Sequence, residues 1–484
     1  MPDRTIRRFL AFSLPAFAAL FAIHLQNSLG PLLHGRVPPD LGYSEHSRVL
    51  LQVLQLACIT WLAVVYAWAI WRWDRARVTG RDVAVVIAVL TLAAWLLVPA
   101  NSSDVLEYLG FGRLAGVYGL NPYTHTYSEL SDWFASYVTW DDPMPYGPPL
   151  LPIFTLAGLL SSFHVLAAIY AVKLAWAAVH LLDVWLVYRI ACGLGIDGTL
   201  AAFAVGCNPL VLIELVGNGH NDGVLIAFGL AAVLAVQQRR GALAMVLACA
   251  AAVVKVPGVV WFVPVAALLL RTKQWRALAW GTAGCVAIAG LLALWPGCLD
   301  ALTVLNSQWH FSEDSLHTIL IDRASALWVS LSPAARYDVV FDLDRAIATP
   351  VFAALVLWRA WRVRDVAGLL RENGWMLLVL LLGYAVSVDP WYFTWLVPVA
   401  VLTDSARLRR TTVVACASVV LLYAFPFALV ETGPHHEAWG TIRLAAALGP
   451  PLVVVAAYPV VCRLLDRVGR TWLPGPAIAP MRMQ

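Results

Sequence analysis

The side chains that could do chemistry gather in a few polar stretches set between apolar runs. The first begins at Asp104 and runs to Pro149. Asp104, Glu107, Tyr108 and Phe111 fall at i, i+3, i+4 and i+7, which is one face of a helix. Two turns follow, Tyr118-Gly119-Leu120-Asn121-Pro122-Tyr123 and Pro145-Tyr146-Gly147-Pro148-Pro149. Carboxylates beside aromatic rings suit a carbohydrate, because acids accept hydroxyl hydrogen bonds and rings stack on the apolar sugar face. A single carboxylate here could also act as a general base. The alternative is that Asp104 merely caps a surface helix, with Glu107 completing an acidic capping box.

Further polar groups recur down the chain. Gly217-Asn218-Gly219-His220-Asn221-Asp222 joins two apolar runs; its His220 and Asp222 could border the same cavity as Asp104, and His220 could bind a phosphate or hydroxyl oxygen. It is also a composition that favours a plain hairpin turn. Lys255 lies inside an apolar region just before Pro257-Gly258. A cation at such depth is expensive and points to function, here a phosphate partner, unless the side chain snorkels to the interface. Arg113 is a second candidate for a phosphate. Trp391 and Tyr392 follow Asp389-Pro390 and could line a sugar site or serve as interface anchors, and Gln308, Trp309 and His310 are weaker candidates. The eight cysteines form no CxxC or Cys/His cluster, so neither a zinc site nor a disulfide framework is suggested. Walker A, GxGxxG, HExxH and GxSxG patterns are absent, which argues against a soluble nucleotide as the donor of a group.

These groups need a scaffold, and composition defines its class. Only 13% of residues are charged and 61% are hydrophobic, against about 25% charge in a soluble domain. With repeated apolar runs near bilayer length, the chain reads as an all-α polytopic membrane protein. The small net charge of +4 comes from short Arg-rich loops and reports topology rather than nucleic-acid binding.

Basic clusters at Arg4–Arg8, Arg72–Arg81, Arg189, Arg239/Arg240, Arg271–Arg276, Arg359–Arg364, Arg407–Arg410 and Arg463–Arg470 are assigned to the cytoplasm. Spans are then expected at 9–25, 47–71, 82–100, 164–190, 199–216, 222–237, 242–255, 257–270, 277–295, 345–360, 373–388, 391–406, 411–429 and 441–462. That is about fourteen crossings with both termini cytoplasmic. One domain covers 1–470, with a cytoplasmic tail at 471–484. The loop 100–149, the segment 297–344 and the turns at His220, Asp389 and Glu431–Trp439 then lie outside. Residues 150–162 are expected as a re-entrant or surface helix. Residues 242–270 are too few for two full crossings, which need about 40, and read as two short helices broken at Lys255-Val256-Pro257-Gly258. Freed backbone at such a break is tolerated where it lines a cavity.

In chain order, Asp104 with Tyr108, Gly119-Leu120-Asn121-Pro122-Tyr123, Pro145-Tyr146-Gly147-Pro148, Asn208-Pro209-Leu210-Val211-Leu212, Gly219-His220-Asn221-Asp222, Ala252-Val253-Val254-Lys255-Val256-Pro257 and Pro390-Trp391-Tyr392 together resemble the membrane C-type glycosyltransferases. More narrowly, they resemble the bacterial polyprenyl-phosphate-mannose-dependent α-1,6-mannosyltransferases. The resemblance implies a helical bundle of about 12–14 spans with a large first extracytoplasmic active-site loop. It implies Asp104 as catalytic base, and a sugar pocket shaped by Glu107, Tyr108, Tyr123, Tyr146, His220, Asn221, Asp222, Trp391 and Tyr392. It also implies a lipid-linked sugar donor, a glycan or glycolipid acceptor, a plasma-membrane location and no metal or other cofactor. Lys255 and Arg113, with His220, are expected to hold the donor phosphate. A transferase using arabinofuranose or glucose would present the same motifs, and a transporter would also account for the broken helix pair.

Overall fold

A computed structural model of the chain describes residues 4–25, 45–100, 102–138, 141–298, 315–331, 336, 338–423, 436–458 and 460. All regular elements among them are helical. In order these are α1 (Arg4–His24), α2 (Glu45–Trp71), α3 (Gly80–Leu96), α4 (Asp104–Gly116), α5 (Leu151–Ser161), α6 (Val165–Gly193), α7 (Gly198–Gly206) and α8 (Asp222–Gln237). Next come α9 (Gly241–Val254), α10 (Val259–Arg271), α11 (Trp275–Ala293), α12 (Leu316–Leu331) and α13 (Asp338–Arg362). The last are α14 (Val366–Val379), α15 (Leu396–Leu402), α16 (Ala406–Ser418) and α17 (His436–Ala456).

Among the described residues, five segments are long and apolar enough to cross a membrane: Arg4–His24, Leu50–Trp71, Val165–Gly193, Trp275–Ala293 and Val366–Tyr384. A sixth is α7 with the following helix Pro209–Gly217, bent by 48°. Asn208 makes that bend, since its side chain accepts from the amides of Leu210 and Val211 and restarts the helix. Several of the other expected crossings coincide with shorter apolar helices, among them Asp222–Gln237, Gly241–Val254 and Val256–Arg271. The expected span 391–406 is a 3₁₀ turn (Pro390–Trp395) followed by the short α15, and the expected 345–360 is part of a longer helix starting at Asp338. The shorter apolar segments cluster where the chain is broken, and the breaks are what carry polar groups inward.

The expected break in 242–270 is present. Lys255 has extended backbone between α9 and a 3₁₀ turn at Val256–Gly258 that leads into α10. Residues 148–161 form a 3₁₀ turn plus α5, about 20 Å long and too short to span. This segment packs on α4 through a glycine contact. A Cβ on Gly112 would lie 1.8 Å from the Phe154 carbonyl oxygen, and one on Gly158 would lie 2.1 Å from the Gly112 backbone. The two backbones touch because neither residue has a side chain.

The loop between α4 and α5 is folded, not merely tethered. Arg113 is 3% exposed and donates to Asp132 at 2.7 Å, to the Tyr127 hydroxyl at 3.0 Å and to the Ser161 and Ser162 hydroxyls. Tyr127 also donates to Asp132. Tyr123 reaches back to the Tyr146 carbonyl at 3.0 Å. Gln308, Trp309, His310, Glu431–His435 and the tail 471–484 lie outside the described residues. Residues 436–439, expected in a turn, belong to the first turn of α17.

Candidate active site

Breaks in several helices bring the site together at the loop end of the bundle. Asp104 is the first residue of α4, after Ser103. Its carboxylate does not cap the helix. Oδ1 accepts from the Ser102 hydroxyl at 2.6 Å, and Oδ2 accepts from the Tyr108 hydroxyl at 3.2 Å and faces His220 Nδ1 at 3.3 Å. The capping alternative is thus not what the geometry supports. Tyr108 and Glu107 are both fully buried beside it.

His220 arrives through a tight reversal. A π-helical turn, Leu212–Gly217, is followed by Asn218 and by Gly219 at φ +82°, a backbone region that side-chain-bearing residues rarely adopt. The reversal drives His220 inward, where it is 0% exposed and stacks on Trp391 at 3.9 Å between ring centroids. Its other nitrogen, Nε2, lies 3.5 Å from Glu214 Oε2. Asn221 is also fully buried, and neither polar atom of its side chain finds a partner among the described residues. A buried amide with both functions open is suited to a hydroxyl-bearing ligand.

Asp222 opens α8 and accepts from Lys255 Nζ at 2.9 and 3.0 Å and from Trp395 Nε1 at 2.8 Å. The Lys255 ammonium also sits over the rings of Tyr146 (5.3 Å) and Tyr392 (5.6 Å). It does not snorkel away. Tyr146 is brought there by Gly147, whose amide donates to the Val254 carbonyl at 3.2 Å; a Cβ on Gly147 would meet the Val253 oxygen at 1.7 Å. Lys255, Tyr392 and Asp389 are partly exposed, while Asp104, His220 and Asp222 are buried, so the former form the mouth and the latter the floor.

Burial alone would raise the Asp104 carboxyl. The His220 charge and hydrogen bond, the Ser102 hydroxyl and Lys255 outweigh it and hold Asp104 below the ordinary carboxylate range. Burial likewise opposes a charge on His220, but Asp104 and Glu214 overcome it and lift the imidazole to about 9. At neutral pH the pair is carboxylate and imidazolium.

Asp104, Tyr108, Tyr146, His220, Asp222, Lys255, Trp391 and Tyr392, all singled out from sequence, are joined by the contacts above. Two candidates do other work. Arg113 lies nine residues along α4 from Asp104 and is bound by Asp132, so it braces the loop and is not placed for a donor phosphate. Tyr123 braces the Tyr146 turn. Glu214, Trp395 and Tyr423 are additions. Glu214 had a signal, a carboxylate in the apolar run Pro209–Gly217, which is a functional pointer by default. Trp395 and Tyr423 had none, since their roles depend on partners 173 and 209 residues away.

Helices of bilayer length, with a buried acid, histidine and lysine cluster at the breaks between shorter ones, define an all-helical membrane protein with a candidate active site. The sequence profile of a family described as "Alpha-(1->6)-mannopyranosyltransferase, N-terminal domain" matches residues 9–271. The chain is 26% identical over 411 residues to alpha-(1->6)-mannopyranosyltransferase A of Mycobacterium tuberculosis, covering 79% of this chain and 75% of that one. It is 24% identical over 370 residues to alpha-(1->6)-mannopyranosyltransferase B of Corynebacterium glutamicum, covering 67% and 60%. No solved structure matches. The chain belongs to the alpha-(1->6)-mannopyranosyltransferase family and is a membrane mannosyltransferase.

Proposed function

We propose that the enzyme transfers mannose from a polyprenyl-phosphate donor to a mannan or glycolipid acceptor on the extracytoplasmic side, with inversion, forming an α-1,6 bond. The observation that carries this reading is the ionised, buried Asp104 beside His220, with Lys255 at the mouth of the same site. An acceptor hydroxyl oxygen attacks the anomeric carbon while Asp104 takes its proton. The bond from that carbon to the phosphate oxygen breaks, and the polyprenyl phosphate leaves with the electron pair. One carboxylate is enough for a single displacement, unlike the paired carboxyls of a retaining hydrolase. A β-linked donor then gives an α-mannoside.

Lys255 stabilises the leaving phosphate electrostatically. Asp222, itself held by the Trp395 indole N–H, fixes the ammonium, and the two tyrosine rings line its approach. Asn221 offers its buried amide to sugar hydroxyls. A monophosphate leaving group can be neutralised by Lys255, so we propose that no metal is needed and that activity persists in excess chelator. Loss of activity in EDTA, restored by magnesium or manganese, would overturn that.

The test of the donor is incubation of the purified protein with polyprenyl-phosphate mannose, glucose and arabinofuranose, each with short mannoside acceptors. Transfer from the mannose donor alone, giving an α-1,6 product, is expected. Equal use of another sugar would replace the donor assignment.

A further inference from the structure

We infer that Glu214 is a positioning residue for the transfer: with Asp104 it clamps His220 between two carboxylates, and so keeps the base ionised and aimed. The inference rests on the reading of Asp104 as the base.

The argument begins with proton counting. His220 Nδ1 faces Asp104 at 3.3 Å and Nε2 faces Glu214 at 3.5 Å, the second an ion-pair contact rather than a hydrogen bond. Ionised carboxylates only accept, and a neutral imidazole carries one N–H. Both contacts are favourable together only when both nitrogens are protonated. Trp391 lies flat on the ring, 17° from parallel, which suits a cation and blocks the ring from turning over.

Glu214 is itself held. It is 1% exposed, and its Oε2 accepts from Asn218 Nδ2 at 3.0 Å and from the Tyr423 hydroxyl at 3.1 Å. It reaches this position because it lies in the π-helical turn Leu212–Gly217, the kind of widened turn that re-aims a side chain at functional sites. The result is a line from Tyr423 through Glu214 and His220 to Asp104, with Tyr108 and Ser102 closing the far end.

The surrounding charges show why a second acid helps. Asp104 also feels Lys255, but that ammonium is bound by Asp222. Asp389 faces the same region, as do Tyr146 and Tyr392. With a neutral His220, buried Asp104 would sit among further acids with only a shared lysine, and burial would favour its protonated, inactive form. Glu214 keeps the proton on His220, and His220 keeps it off Asp104.

The experiment is the pH dependence of kcat/KM for the full chain, with polyprenyl-phosphate mannose and a mannoside acceptor. For Glu214→Gln the alkaline limb, which His220 sets, should move down by about one pH unit, with both KM values within about twofold. Glu214→Asp should recover most of the shift. Tyr423→Phe removes one donor to Glu214 and should move the limb the same way by less. That variant keeps the test open if Glu214→Gln does not fold. A rate loss equal at every pH, with the alkaline limb unmoved in whichever variants fold, overturns the inference and leaves Glu214 as a packing group. If Asp104→Asn stays active, the base reading fails and takes this inference with it. If Asp104→Asn is inactive and the limb is unmoved, only this inference fails.

Discussion

Converting Asp104 to Asn keeps its size and its contacts with Ser102 and Tyr108 while removing basicity. Turnover should fall about 10²- to 10⁴-fold with donor KM little changed, and a variant keeping more than about a third of wild-type rate would exclude a base role. The pH profile should be bell-shaped. Asp104 works ionised, so activity is lost as pH falls through its depressed pKa. His220 works protonated, so activity is lost as pH rises through about 9. Stability follows the same sign for His220. Raised from 6.5 to about 9, it contributes fully below pH 6.5 and fades as pH climbs to 9, which thermal melts across that window would record. Lys255 calls for a paired test. Lys255→Met leaves Asp222 buried with Trp395 as its remaining donor, at a cost of about 3–5 kcal/mol. Adding Asp222→Asn should restore the melting temperature. Donor KM should stay raised in both variants if Lys255 binds the phosphate, and a double variant with normal donor KM would remove it from the clamp.

At the level of elements, the site depends on backbones that touch. Gly112→Ala places a methyl group into the Phe154 carbonyl, so α4 and α5 must part and Asp104 moves with α4. We expect a loss of at least about 1–3 kcal/mol. Gly290→Ala in α11, where a Cβ meets nothing within 4 Å, should be neutral in the same melting assay. Gly147→Ala should behave differently. It lifts the Tyr146 turn off the α9 terminus, so activity should fall more than stability does. Equal losses would mean that the turn only packs.

Across the whole molecule, the prediction concerns sidedness. The turn at His220 is fully buried and cannot report it, so probes belong on exposed loop positions. Ser128→Cys should label from outside intact cells, while Ala76→Cys and native Cys192, both exposed at predicted cytoplasmic ends, should label only after permeabilisation. Labelling of Ser128→Cys only after permeabilisation would place the site in the cytoplasm and end the proposal of a lipid-linked donor used outside.

Local chemistry was legible along the chain. Apolar runs and sparse charge announced a helical membrane protein, Pro257-Gly258 announced the break at Lys255, and the spacing of Asp104 and Tyr108 put them on one helix face, where they hydrogen-bond. These depend on neighbours in sequence. What pairs with what did not. In sequence Arg113 is as available as Lys255, and only the fold sets Asp132 against it; only the π-helical turn aims Glu214 at His220. The shape of the spans was hidden for a related reason: hydropathy registers that a segment is apolar, whereas the bend at Asn208 and turns such as Pro390–Trp395 depend on local hydrogen bonds and packing. A charged side chain takes its role from the partner that compensates its burial, and that partner is chosen by the tertiary structure.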